Sequence, residues 1–275
     1  MTNKLRVGMI PYANLYPVYR ALARILPPDA VEFVEGHPRE LNRMLAEGTL
    51  DVSPSSSIEY AFRPDRYLLV PDISIAARER VMSVLLLSNR PVEALPEGPV
   101  AMTEASDTSV VLLEIMVRQF LKRDSPLVRS PLPPDEALRR FPACLAIGDA
   151  AIRASLERVA PCVTDLASWW RRETGKPFVF ALWIVSRAAA ESNGDALRAF
   201  VRSLHSAKAM ARESIAREDD IPIGPDWIPV DFRRDYWRNL SYDLNSAEQE
   251  GLSLFYALAA KAGRIPAAPG LRFLT

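Results

Sequence analysis

Short apolar runs and amphipathic stretches alternate along the first two thirds of this chain. Residues 5–10, 31–34, 51–54, 67–70, 82–88, 100–102, 143–147 and 178–185 are apolar runs of strand length. Between them, residues 15–25, 38–47, 109–122 and 150–156 repeat apolar side chains at helical spacing. Pro17 falls in the first turn of its helix, where a missing N–H costs nothing, and Gly48 stands just past the end of the next. Strand and helix in alternation imply an α/β fold with mostly parallel sheet. After Ala188 the alternation stops. Residues 195–218, 232–239 and 246–261 all read as helices, with Pro222, Gly224, Pro225 and Pro229 marking loops between them.

Four strand-to-helix junctions carry small polar groups: Pro11-Tyr12-Ala13-Asn14, Ser53-Pro54-Ser55-Ser56-Ser57, residues 104–109, and Gly148-Asp149. The first N–H groups of a helix lack intrahelical partners and carry partial positive charge, so hydroxyls beside them suit a carboxylate or phosphate. Serine also caps helices with no ligand near, and for any one junction that reading stands beside the other. Two of the junctions precede position 90 and two follow it, and a cleft between two lobes would bring both pairs together into one shared site.

Composition narrows the function. With 49% hydrophobic and 25% charged residues in 275, the chain can bury a substantial core. Lys plus Arg and Asp plus Glu balance at 34 each, so no net field recruits nucleic acid or anionic membrane, and an anionic ligand must be held by local donors. No run approaches the ~20 apolar residues of a membrane span, and residues 1–8 contain no apolar leader core, so a soluble cytoplasmic protein is expected. Cys144 and Cys162 are too few and too far apart for a zinc pair or redox motif and read as buried free thiols. There is no Gly-rich phosphate loop, metal-ligating His pair or Gly-x-Ser-x-Gly elbow, and no metal is expected. His37 and His205 read as surface or packing residues, Glu59 and Asp149 as helix caps, and Trp169-Trp170 with the aromatics of 178–183 as core.

Several segments together resemble a known family. They are Ile10-Pro11-Tyr12-Ala13-Asn14-Leu15-Tyr16-Pro17, Leu41-Asn42-Arg43-Met44-Leu45-Ala46-Glu47-Gly48 and Asp51-Val52-Ser53-Pro54-Ser55-Ser56-Ser57-Ile58-Glu59-Tyr60. They continue with Ser83-Val84-Leu85-Leu86, Thr108-Ser109-Val110-Val111-Leu112-Leu113, Ile147-Gly148-Asp149-Ala150-Ala151 and Pro177-Phe178-Val179-Phe180-Ala181-Leu182-Trp183. In order and spacing these resemble the menaquinone-biosynthesis proteins of the futalosine pathway, in their chorismate dehydratase branch. One departure stands out: the family's usual opening is Ser-Tyr-Leu-Asn, and here it is Pro11-Tyr12-Ala13-Asn14, which keeps the Asn and loses a hydroxyl. Nothing here resembles the Ser-Pro-Cys-Pro-Asn-like start of the sister branch, which cleaves a later intermediate.

The resemblance implies a two-lobed, type II periplasmic-binding-protein-like α/β fold with a cleft between the lobes. Residues 1–87 and 186–275 would form one lobe and 88–185 the other, with crossover strands at 82–88 and 178–185. It implies chorismate, a dicarboxylate, as substrate and loss of water as the reaction, with no cofactor. Ser55, Ser56 and Ser57 would hold one carboxylate and Thr108 with Ser109 the other, Gly148 and Asp149 completing the binding set. Asn14 and Ser83 would set the geometry while the substrate's own side-chain carboxylate removes the proton; for Ser83 a plain strand hydroxyl bonded to backbone remains the alternative. Three other readings share the fold: a solute-binding protein, the ligand-sensing domain of a transcription regulator, and the sister lyase.

Overall fold

The computed structural model describes residues 4–219 and 224–275; the chain start at 1–3 and Pro222, expected from the sequence to mark a loop, lie outside the described residues. In chain order the strands are β1 (Leu5–Met9), β2 (Val31–Glu35), β3 (Val52–Ser56), β4 (Tyr67–Ala77), β5 (Val84–Ser88), β6 (Val100–Met102), β7 (Leu127–Arg129), β8 (Ala143–Ile147), β9 (Cys162–Asp165), β10 (Phe178–Ser186) and β11 (Leu240–Ser241). They form two sheets, ordered β11-β4-β10-β3-β1-β2 and β7-β6-β8-β5-β9. The first is built from both ends of the chain and the second from its middle.

The helices follow the apolar spacing that predicted them. Helix Tyr16–Ile25 buries Pro17, Val18, Ala21 and Leu22 along one stripe and lies against the long helix Gly194–Arg217. Helix Pro38–Glu47 buries Pro38, Leu41, Asn42 and Leu45 and ends at Gly48, whose φ of 77° is the left-handed conformation that glycine adopts without penalty. The second-lobe helix Asp107–Ile115 continues through one wider turn, Met116–Phe120.

Three expectations need correction. The sheets are mixed rather than mostly parallel: β1 with β2 and β3, and β6 with β7 and β8, run parallel, whereas β10 is antiparallel to β3 and β4, and β5 to β8 and β9. β5 and β10 each enter their sheet from the other one and not through a crossover within the same sheet, so neither is held to a parallel direction. Second, 67–70 is only the start of β4, which runs to Ala77. Pro71-Asp72 breaks the apolar pattern without ending the strand; Asp72 takes a positive φ of 57°, and pairing with β10 shifts register across it, between Leu69 and Ser74, and again between Ile75 and Ala76. Third, β7, β9, β11 and helix Pro134–Arg140 carried no readable signal, because they are short, Pro-flanked or on sheet edges.

The segments expected to cross between lobes each lie whole in one sheet: Val84–Ser88 pairs with β8 and β9, and Phe178–Ser186 with β3 and β4. The chain passes between the sheets just before each of them. Helix Ser246–Lys261 bridges the two halves, lying against β10 and against helix Asp107–Ile115. Beyond it, Arg264 forms a charge-assisted pair with Glu114, which is 1% exposed and also bound by Arg118 at 2.7 Å.

The long apolar strand β10 carries the aromatic part of the core. Phe178 meets Phe180, Phe255 and Trp170 edge to face at centroid distances of 4.6–5.2 Å. Trp169 and Trp170 are both buried, and Trp170 Nε1 donates to the Pro177 carbonyl at 3.2 Å. Cys144 is a buried free thiol as expected; Cys162, on the edge strand β9, is only half-buried. Among the described residues no helix is long and apolar enough to cross a membrane.

Candidate active site

Where the carboxyl ends of β1 and β3 meet the segment leading into β5, a cavity of about 60 Å³ opens between the sheets. Its polar lining comes from Tyr12, Asn14, Ser56, Ser83, Ser106 and Ser109, with the backbone of Gly148. Ile10, Ile75, Val84 and Phe180 are among its apolar walls. All four junctions singled out from the sequence therefore contribute to one site.

Ser56 occupies the cap position of helix Ser57–Phe62 but makes no side-chain cap bond, so its hydroxyl is not spent on the helix. On the other side Ser106 does cap its helix, accepting from the Ser109 N–H at 3.3 Å, and its hydroxyl lies 3.2 Å from Ser109 Oγ. Among the described residues, Asn14 Oδ1 is buried with no hydrogen-bond partner. A buried unpaired acceptor costs about 1–3 kcal/mol, which a donor on a ligand in this cavity would relieve. Gly148 has a φ of 58°, and a Cβ there would stand 2.8 Å from the Tyr12 ring. Glycine is needed at this position both for its conformation and for the space that Tyr12 fills.

The other four residues read as ligand groups lie outside the cavity lining. Ser57 Oγ donates to the Val179 carbonyl at 2.8 Å and stands 3.3 Å from Thr108 Oγ1. Thr108 Oγ1 accepts the Ile58 N–H at 3.0 Å, so a second-lobe hydroxyl satisfies the start of a first-lobe helix. Asp149 is not a helix cap: its Oδ1 accepts the Ala13 N–H at 3.1 Å, tying the Asn14 loop to the second lobe. Ser55 is fully buried in β3, with an Oγ that has no partner among the described residues. Glu59 is not a cap either; its Oε1 accepts from Arg63 at 2.6 Å and from Tyr67 O–H at 2.9 Å.

Comparison with known proteins places this geometry. A family model described as menaquinone biosynthesis matches residues 5–261. The chain belongs to the menaquinone-biosynthesis family. It is 29% identical over 291 aligned residues to a chorismate dehydratase of Thermus thermophilus, with 96% of each chain covered. Among solved structures, protein AF1704 from Archaeoglobus fulgidus superimposes with a TM-score of 0.75 at 19% identity, covering 95% of this chain and 98% of that one. The periplasmic aliphatic sulphonate binding protein SsuA from Escherichia coli gives a TM-score of 0.66 at 18% identity, covering 98% of this chain and 95% of its own. The fold of this menaquinone-biosynthesis protein is thus the two-lobed, periplasmic-binding-protein-like fold.

Electrostatics around the site follow burial. Burial raises the Asp149 carboxyl above its ordinary range, against the opposing pull of the Ala13 N–H and Arg153. Burial likewise raises Glu59, with Tyr67 and Arg63 opposing. The Tyr12 phenol is pushed up by burial and by the neighbouring Asp149 charge. Neither histidine lines the cavity: His37 is exposed, with its ring 6.4 Å from that of Tyr12, and His205 Nε2 lies 2.9 Å from the Pro71 carbonyl.

Sequence reading missed an aromatic group in the C-terminal third. Tyr236 O–H donates to Ser83 Oγ at 3.0 Å, Trp237 Nε1 to the Ala13 carbonyl at 2.8 Å, and Tyr242 O–H to the Asn14 carbonyl at 2.5 Å. All three are buried. The only signal was three polar-tipped aromatics within seven residues of a charged helix and its exit, a pattern that core packing explains equally well.

Proposed function

We propose that this protein is a chorismate dehydratase, removing water from chorismate to give 3-(1-carboxyvinyloxy)benzoate in menaquinone biosynthesis. The observation that carries the reading is the cavity: Asn14, Ser56, Ser83 and Ser109 converge on it in a chain that aligns over 96% of its length with a chorismate dehydratase.

In this reading Ser56 from the first lobe and Ser109 from the second, with nearby backbone N–H groups, receive the two carboxylates of the substrate, while Gly148, whose N–H is donated to the Ser83 carbonyl, shapes the wall beside them. Ser57, Thr108 and Asp149 hold the lobes around them, and Ser55 supports the strand beneath. The proton lost from the ether-bearing ring carbon is acidified through the ring double bond by the ring carboxylate, so donors to that carboxylate stabilise charge as it develops. The C–H electron pair becomes the new ring double bond. The C–O pair leaves with the ring hydroxyl. The substrate's side-chain carboxylate takes the ring proton and returns it to the departing oxygen, so water leaves, charge balances and aromatisation drives the reaction without redox change. Asn14 and Ser83 orient these groups.

The cavity of about 60 Å³ is smaller than the roughly 300 Å³ at which small-molecule sites begin. A pocket of about 360 Å³ in the second lobe shares Tyr12 and Ile147 with it, so swinging the Tyr12 ring or parting the lobes supplies the room.

The test is to incubate the purified protein with chorismate and follow the aromatic product by absorbance and mass. No turnover, together with tight binding of a different small acid, overturns the dehydratase and leaves a binding protein. Asn14→Ala is expected to lower the single-turnover rate by about 10²-fold, the scale of a lost orienting contact, while Glu59→Gln stays near wild type. A collapse confined to the Glu59 variant refutes the assignment of Asn14.

A further inference from the structure

Ser83 Oγ sits between two partners of unequal quality. Tyr236 donates to it at 3.0 Å, and it donates in turn to the Val81 carbonyl at 3.3 Å, beyond the usual range for a hydroxyl donor. A hydroxyl has one proton and two lone pairs. With Tyr236 on a lone pair, the single Ser83 proton must point to an acceptor, and the one it has is poor. A better acceptor entering the cavity would take it.

Tyr236 is well built for this role. It is 1% exposed, and burial pushes its phenol above the ordinary range, so it stays a donor across the physiological range. Its helix, Val230–Asn239, is held at the same site by Trp237 on the Ala13 carbonyl, and the following segment by Tyr242 on the Asn14 carbonyl. Ser83 is fixed from the other side, its carbonyl accepting the Gly148 N–H at 2.7 Å. Serine alone rotates freely; serine with its lone pair occupied has one useful direction.

We infer that Tyr236 is a positioning residue that turns Ser83 into a dedicated hydrogen-bond donor toward the ring hydroxyl leaving the substrate. The inference rests on the dehydratase reading above. Ser83 keeps its proton throughout. It stabilises the departing oxygen while the C–O pair moves onto that oxygen, and the proton that makes it water comes from the ring carbon by way of the substrate carboxylate. Charge on the departing oxygen exists only as the bond breaks, so the effect belongs to kcat and not to substrate binding.

The experiment is a double-mutant cycle on chorismate turnover with Tyr236→Phe, Ser83→Ala and the double variant, alongside wild type. Loss of one hydrogen-bond donor to charge that develops in the transition state sets the scale at about 10²-fold in kcat for Ser83→Ala, and about tenfold is expected for Tyr236→Phe, which leaves the hydroxyl but not its direction. KM stays within about twofold in both, as for an interaction made only in the transition state. The double variant is no worse than Ser83→Ala, because Tyr236 acts through Ser83. Losses that multiply, or a raised KM with kcat unchanged, overturn the inference and leave the dehydratase standing. No product from wild type overturns both. Folding is checked by thermal unfolding, and if Tyr236→Phe does not fold, Tyr236→His enters the same cycle and is judged by the same non-additivity.

Discussion

The two hydroxyl-rich junctions, after β3 and after β6, are made of similar parts and finished in different ways. In the second lobe the helix start closes on itself: Ser106 accepts from Ser109 N–H within one turn. In the first lobe Ser56 stands at the cap position without capping, and it is Thr108 from the opposite lobe that accepts the Ile58 N–H. One helix is complete on its own, and the other is completed by the approach of its partner lobe. Lobe contact therefore carries the value of a helix cap, about 1 kcal/mol. On each side a cavity hydroxyl stands next to this contact, Ser56 beside Ser57 and Ser109 beside Thr108. Bringing the lobes together and bringing the cavity hydroxyls together are one event.

The largest expected effect separates neighbours within the first junction. Ser56→Ala removes a cavity hydroxyl and is expected to lower kcat/KM by about 10²-fold, the scale of one lost anion donor, with little change in melting temperature. Ser57→Ala is expected to do the reverse, lowering the melting temperature through the lost bond to Val179 while keeping chemistry. Equal kinetic losses in the two variants break the proposed division of labour.

Next comes the contact between lobes. Thr108→Val keeps the volume but leaves the Ile58 N–H without its acceptor, a penalty of about 1–3 kcal/mol for a buried donor. Because the cap spans the lobes, the variant is also expected to show a larger radius of gyration by small-angle X-ray scattering. Ser106→Ala, the matching change inside one lobe, is expected to cost about 1 kcal/mol and leave the scattering unchanged. An expanded Ser106 variant, or a compact Thr108 variant of wild-type stability, removes the contrast.

The smallest effect concerns Asp149, the other tie between the lobes. Its folded-state pKa is raised by burial, so protonation favours the folded chain. The stability this contributes is fully present below the ordinary carboxylate value of about 4 and is lost as pH rises through the folded value. Asp149→Asn keeps an oxygen for the Ala13 N–H and removes the titration. Melting curves from pH 3 to 8 should show the variant gaining on wild type as pH rises through the weakly acid range, with the two converging at low pH. A parallel offset at all pH values points away from Asp149 titration.

Much of the fold was legible because its signals are local. The apolar periods of 16–25, 38–47 and 246–261 announce helices, and the runs at 5–9, 31–35 and 178–186 announce strands, since each pattern matches the period of one element. Strand direction was not legible. β5 and β10 run against their neighbours because of where the chain crosses between sheets, a long-range property with no local pattern. In the site, residue type told which junctions were polar, but which way each hydroxyl pointed was hidden. Ser55, Ser56 and Ser57 are alike as letters, yet only Ser56 reaches the cavity. The aromatic donors Tyr236, Trp237 and Tyr242 were invisible as site residues, because more than 200 positions separate Ala13 and Asn14 from the Trp237 and Tyr242 that hold them, with separations of 224 and 228.

By itself, then, the sequence determined the alternation of strand and helix, four polar junctions at strand ends and the family to which they point. These depend on spacing and residue type within a few positions of the chain. The tertiary structure alone decided which hydroxyls line the cavity, which bind the lobes to each other, and that a C-terminal helix brings Tyr236 onto Ser83. Those outcomes depend on how two separately wound sheets meet, and a hydrogen bond between residues far apart in sequence exists only once that meeting has occurred.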